Sequence, residues 1–296
     1  MPSARVAAHA KINLALRILA REASGYHQLE TLFCRIDLAD DVVVRVAEDD
    51  VRSLDCAGAD VGPVEQNLAW RAALLYAAPD GRPRGFAIEI EKNIPVGGGL
   101  GGGSADAGAV LRALNALNPR PLPPSDLLAM AGALGADVPF LATTTPLALA
   151  WGRGERMLAL PALPPRDVAL VLPPFSVSSA EAYGWIAAAR SEAQAAAHFP
   201  VLHPLAAVTT WDGALRHSEN DFEPVVFARL PELAGIHARL AEVPGIALAR
   251  MSGSGSTLFA LFADEMELRA VTQATGCKAI AARTLGEVPL VGVDLG

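Results

Sequence analysis

The chain has 296 residues, 52% hydrophobic and 19% charged, which suits one large or two moderate globular domains and excludes a disordered chain. A net charge of −8 leaves no basic footprint of a nucleic-acid binder. No apolar run nears the roughly 20 residues of a membrane-spanning helix.

The first segment alternates, with His9, Lys11 and Asn13 on one face and Ala10, Ile12, Leu14 and Leu16 on the other. That period of two predicts a strand with a polar and an apolar side. The same polar residues interrupt what a signal peptide would need as its apolar region, so none is expected. Residues 30–36 and 41–46 read as two further strands. Residues 68–78 read as a helix capped by Asn67, and 86–90 as a strand. After the glycine-rich run that follows, a helix is expected over 106–117. The prolines of 118–124 end it, and Ser125 is placed to cap a second helix reaching residue 134. Residues 135–139 break the pattern, and a strand follows at 147–151.

The proline-rich stretch 161–165 predicts a domain boundary. Beyond it, strands are expected at 167–172, 246–251, 257–262 and 278–283. Helices are expected at 179–189 (capped by Ser178 or Ser179), 230–240 and 265–275. Strands and helices mix without strict alternation, which indicates an α+β fold. Cys34, Cys56 and Cys277 are scattered and form no CxxC pair. They read as small buried hydrophobes in a reducing, cytoplasmic setting.

The most informative run is Pro95, Val96, Gly97, Gly98, Gly99, Leu100, Gly101, Gly102, Gly103, Ser104 and Ala105. Six glycines in seven positions make poor helix or strand. They suit a loop whose backbone N–H groups converge on an anion, with Ser104 and the positive end of a helix behind it. Triphosphate is the expected anion, and a flexible turn would need fewer glycines. No lysine follows as a Walker A motif requires, and no protein-kinase lysine, HRD or DFG set is present. Gly97, Gly99 and Gly102 fit a dinucleotide fingerprint, but any dense glycine run does. The proline-rich end of the next helix also argues against a Rossmann unit. A dinucleotide-dependent oxidoreductase and a non-catalytic nucleotide-binding module remain the alternatives from other classes.

Three motifs in order resemble the GHMP kinase superfamily: Ala10-Lys-Ile-Asn-Leu-Ala-Leu16, the loop from Pro95 to Ser104, and Met251-Ser-Gly-Ser-Gly-Ser256. Lys11-Ile-Asn-Leu14 with Gly25-Tyr-His-Gln-Leu-Glu-Thr31, Gly135-Ala-Asp-Val-Pro-Phe140 and Asn220-Asp-Phe-Glu223 narrow it. They resemble the branch that phosphorylates the 2-hydroxyl of a cytidine-diphosphate-linked methylerythritol on the non-mevalonate route to isoprenoid precursors. Homoserine and mevalonate kinases are the nearest competitors. The resemblance implies two GHMP domains, 1–160 like domain 2 of ribosomal protein S5 and 161–296 ferredoxin-like, with the site between them. It implies ATP with Mg²⁺ as counterion, no protein-held metal, small-molecule partners only, and a monomer or weak homodimer.

Under that resemblance Asp137 is the candidate general base, although an aspartate before Val138-Pro139 is by itself more often a helix cap. Lys11 sits beside it to offset charge, where a strand lysine alone is more often solvated. Asn13 bonds the substrate; Tyr26 and His27 recognise cytidine and Tyr183 sandwiches it, though each also suits ordinary packing. Asn67 and Leu68 approach adenosine, with Asn67 equally a cap. Gly253, Ser254 and Gly255 let backbone approach the transferred phosphate. Asp106 stands where that branch often has asparagine, and could repel phosphate, cap the helix or sit near a metal.

Overall fold

Two long strands open the chain, β1 (Ser3–Arg21) and β2 (His27–Ala47), paired antiparallel over most of their length. The computed structural model describes residues 1–22, 27–47, 50–78, 82, 84–189 and 205–296. Ala8, Ala10, Ile12 and Leu14 are buried, and so are His9, Lys11 and Asn13 on the other face of β1. The polar side expected from alternation is therefore an interior wall.

β2 replaces the two strands expected at 30–36 and 41–46. Asp40, which lies between them, is buried with its carboxylate taken by the Lys92 ammonium and the N–H groups of Asn93 and Ile94. With those partners supplied from across the sheet, the strand runs through. The chain continues as β3 (Arg52–Ala57), α1 (Leu68–Ala77), β4 (Gly85–Glu91), α2 (Gly102–Leu117), α3 (Pro124–Leu134), α4 (Val138–Leu141), β5 (Leu147–Gly152) and β6 (Arg156–Leu160). Asn67 caps α1 as expected, its Oδ1 accepting the Ala69 N–H at 2.8 Å. α2 starts four residues before the expected position, because Gly101 takes a left-handed φ of +74° and turns the chain straight into helix. The cap of α3 is also corrected. That helix begins at Pro124, and the Ser125 hydroxyl bonds Asp126 instead of capping.

After the proline-rich stretch come β7 (Asp167–Leu172), α5 (Ser179–Ala189), α6 (Leu205–Val208), α7 (Trp211–Arg216), α8 (Phe222–Arg229) and α9 (Pro231–Ala241). β8 (Ile246–Met251), β9 (Leu258–Phe262), α10 (Leu268–Thr275), β10 (Lys278–Arg283) and β11 (Gly292–Asp294) complete it. Sequence reading missed β3, β6, β11, α4 and α6–α8, all short. Ser178 accepts the Glu181 N–H while Glu181 accepts from Ser178, a reciprocal cap on α5.

Two sheets result. The larger has the order β11-β1-β2-β4-β3, with β5 and β6 joined to the first half of β2. The smaller is antiparallel with the order β10-β7-β9-β8, a ferredoxin-like arrangement. Its two faces serve different cores. Val168, Leu170, Phe259 and Leu261 join the core of the larger sheet. Ala169, Val171, Leu258, Ala260 and Phe262 join a second core under α5, α8, α9 and α10. Both faces of β9 are thus covered, so its run is apolar throughout. Cys34 and Cys277 are buried as expected, but Cys56 on β3 is only partly so.

Candidate active site

The glycine loop, β1 and the loop after β8 meet over one cleft of about 540 Å³. A register shift in β1 between His9 and Lys11 frees the Lys11 N–H to donate to Leu100 O at 3.0 Å, which seats the glycine loop on the strand. Gly97, Gly99 and Gly101 have φ between +74° and +76°. A Cβ on Gly99 would lie 2.2 Å from Ser252 O, so only glycine allows the two loops to touch. Ser252 Oγ donates to Gly99 O at 2.9 Å across the same contact. Gly102, Gly103 and Ser104 form the first turn of α2, so their N–H groups face the cleft with the positive helix end behind them.

Lys11 is 3% exposed. Its ammonium donates to Asn13 Oδ1 at 2.7 Å and to Gly99 O at 2.9 Å, and lies 3.4 Å from Asp137 Oδ2. Asn13 in turn donates to Thr31 Oγ1 at 2.8 Å, and Thr31 donates to Ala15 O. Lys11 is therefore aimed by a chain of bonds that runs through Asn13 and Thr31. Asp137 precedes α4 but makes no side-chain cap. Its carboxylate instead faces the cleft. A Cβ on Gly108 would lie 2.6 Å from the Leu141 carbonyl, so that glycine lets α4 approach α2 and sets where Asp137 stands.

The Asn220-Asp-Phe-Glu223 motif clasps the second loop. Asn220 donates to Met251 O and Gly253 O, Glu223 accepts the Met251 N–H, and Asp221 accepts the Ile18 N–H of β1. Ser254 shares a 2.9 Å hydrogen bond with Ser179 of α5.

Asn67, Leu68, every residue from Pro95 to Ser104, Tyr183, Gly253 and Ser254 line this cleft together with Lys11, Asn13 and Asp137. Ala105 is buried in α2, and the Cα of Gly255 faces Met251, so neither lines it. His27 lines an adjoining cavity of about 1020 Å³ and stacks on Tyr183 with ring centroids 4.9 Å apart. Burial and the charge of Asp137 push the Tyr183 hydroxyl up to about 12, so it stays protonated at neutral pH. Tyr26 lies outside the described residues.

Sequence reading passed over Lys92. It lines the cleft between two buried carboxylates, 2.7 Å from Asp106 Oδ2 and also paired with Asp40. Asp106 therefore neither caps α2 nor lies open to solvent. Burial raises its carboxyl to about 7 against the opposing pull of Lys92, and its Oδ1 has no partner. Burial works against the Lys92 charge, but the two carboxylates outweigh it and hold the ammonium protonated. A lysine just before the loop was the available signal. Thr31 and Ser252 carried none beyond their places in a strand and a loop.

The GHMP kinase N-terminal domain family matches residues 67–144, and the GHMP kinase C-terminal family matches 209–280. A 4-diphosphocytidyl-2-C-methyl-D-erythritol kinase of Desulfotalea psychrophila is 37% identical over 93% of this chain and 90% of its own. One from Pelotomaculum thermopropionicum is 41% identical over 89% and 91%. The chain belongs to the 4-diphosphocytidyl-2-C-methyl-D-erythritol kinase family of GHMP kinases. A crystal structure of a 4-(cytidine 5'-diphospho)-2C-methyl-D-erythritol kinase superposes with a TM-score of 0.75 at 36% identity, covering 95% of this chain and 98% of that one. A homoserine kinase from Cytophaga hutchinsonii shares the fold, with a TM-score of 0.67, at 18% identity. Membership in this kinase family removes the oxidoreductase alternative.

Proposed function

We infer that the protein transfers the γ-phosphoryl group of ATP to the 2-hydroxyl of 4-diphosphocytidyl-2-C-methyl-D-erythritol, serving isoprenoid precursor synthesis. The observation that carries the chemistry is the Lys11–Asp137 pair, 3.4 Å apart on the wall of the cleft that the glycine loop also lines. A kinase needs phosphates held and one hydroxyl activated, with little further covalent work. The loop amides and the N-terminus of α2 take the phosphates, and Asn67 and Leu68 stand at the nucleoside end. Asp137 accepts the hydroxyl proton as the oxygen attacks phosphorus. Lys11 pairs with that carboxylate and offsets charge on the transferring group. Mg²⁺ enters as the counterion of ATP, bound by phosphates and water. Tyr26, His27 and Tyr183 receive the cytidine, and Gly253 and Ser254 face the transferred phosphate. The division at 160/161 into nucleotide and C-terminal domains belongs to the same reading. So do a cytoplasmic setting and a monomer or weak homodimer.

The test is ADP release by purified protein with Mg²⁺ and ATP, with and without the diphosphocytidyl acceptor. Release that depends on the acceptor is expected. In Asp137→Asn, turnover should fall about 10²- to 10⁴-fold with ATP affinity largely kept. Stimulation by homoserine or mevalonate alone would overturn the substrate assignment.

A further inference from the structure

We propose that Arg71, on the first turns of α1, binds the diphosphate of the acceptor and so makes the enzyme select a cytidine diphosphate over bare cytidine. This rests on the function proposed above. The acceptor's covalent order is erythritol, diphosphate, cytidine. Its hydroxyl end belongs beside Asp137 and its base beside His27 and Tyr183, so the diphosphate falls between them. Gly135 and Ala136, next to Asp137 in sequence, line the same cavity as His27, Tyr183 and Arg71. That cavity is therefore the stretch the diphosphate crosses.

Four Lys or Arg side chains line the two cavities: Lys11, Lys92, Arg71 and Arg153. Three are committed. Lys11 is held by Asn13, Gly99 O and Asp137. Lys92 lies between Asp40 and Asp106. Arg153 grips both oxygens of Glu22, and its N–H donates to Glu155. Of the two carboxylates that line this cavity and would otherwise repel an anion, Glu22 is offset by Arg153, and Glu155 has the Arg156 guanidinium 3.7 Å away. Arg71 is exposed and, alone of the four, makes no side-chain hydrogen bond or ion pair among the described residues. Its place gains α1 nothing, since a cation near a helix N-terminus opposes the macrodipole, and the first turn of α1 holds no acid. A planar guanidinium that can bond two phosphate oxygens at once gives that position a use.

The experiment measures binding of CDP and of cytidine to wild type, Arg71→Gln and Arg71→Lys by calorimetry, with KM for the acceptor and for ATP beside it. The side chain is exposed, so equal thermal midpoints should show the variants folded. The expected result is CDP binding weakened about tenfold or more in Arg71→Gln. Cytidine binding should be unchanged, Arg71→Lys intermediate, and only the acceptor KM raised. An unchanged preference for CDP over cytidine in Arg71→Gln overturns the proposal, as does a rise confined to the ATP KM. If wild type binds neither ligand and shows no acceptor-dependent ADP release, the function itself falls, and this inference with it.

Discussion

At the scale of single residues, the site depends on who partners whom. Lys11 and Asp137 are 126 positions apart in sequence but 3.4 Å apart in space. Only the motif around Asp137 pointed to it, because an aspartate before Val138-Pro139 looks like a cap, and the absence of a capping bond is visible only in three dimensions. Asp106 supports a prediction of its own. Folding raises its carboxyl from the model-peptide value of 3.8 to about 7. Between those values the folded chain binds more protons than the unfolded one, so this group's stabilising effect is full below about 4 and is lost as pH rises to about 7. His9, lowered to about 4 chiefly by burial, has the opposite slope, because the folded chain resists a proton that the unfolded chain takes up near 6.5. The difference in thermal midpoint between Asp106→Asn and wild type isolates the first effect. It should favour the variant increasingly from pH 4 to 7 and level off above, as scanning calorimetry across that range would show. A difference independent of pH would refute it.

At the scale of elements, the glycines of the loop are not interchangeable. Gly99 has a φ of +76° and no room for a Cβ against Ser252 O. Gly99→Ala should separate the two loops, lowering stability by about 2 kcal/mol or more and abolishing turnover. Gly103 sits inside α2, where a Cβ meets nothing nearer than Leu68 Cδ1 at 3.9 Å. Gly103→Ala should therefore raise stability by up to about 1 kcal/mol through helix propensity. Because Gly103 faces the cleft, the same change should raise the KM for ATP. Urea melts and steady-state kinetics of the two variants would separate the roles. The dense glycines marked this loop plainly in sequence. They hid where the helix begins, since glycine is a weak helix former and the start at Gly102 is set by the turn at Gly101 and by packing.

At the scale of the whole molecule, the proline-rich stretch separates two sheets but not two independent cores. One face of the second sheet, with Val208 and Trp211, completes the first core, and β11 returns from the far end of the chain to pair with β1. Each large apolar side chain left uncovered forfeits about 1.5–3 kcal/mol. Residues 1–160 expressed alone should fail to show a cooperative thermal transition, and the full chain should melt in one transition, not two. Two well-separated calorimetric peaks would show the halves to be independent.

The sequence alone determined the glycine loop, most of the regular elements and the kinase family, because these are written in local periodicity, glycine density and contiguous motifs. Only the tertiary structure decided that the polar face of β1 is buried, that Asp40 lets β2 run on, that Lys92 lies between Asp40 and Asp106, and that Arg71 is left uncommitted. Each depends on which groups from separate parts of the chain meet in space, and the pairing of a buried charge is a property of where chains cross.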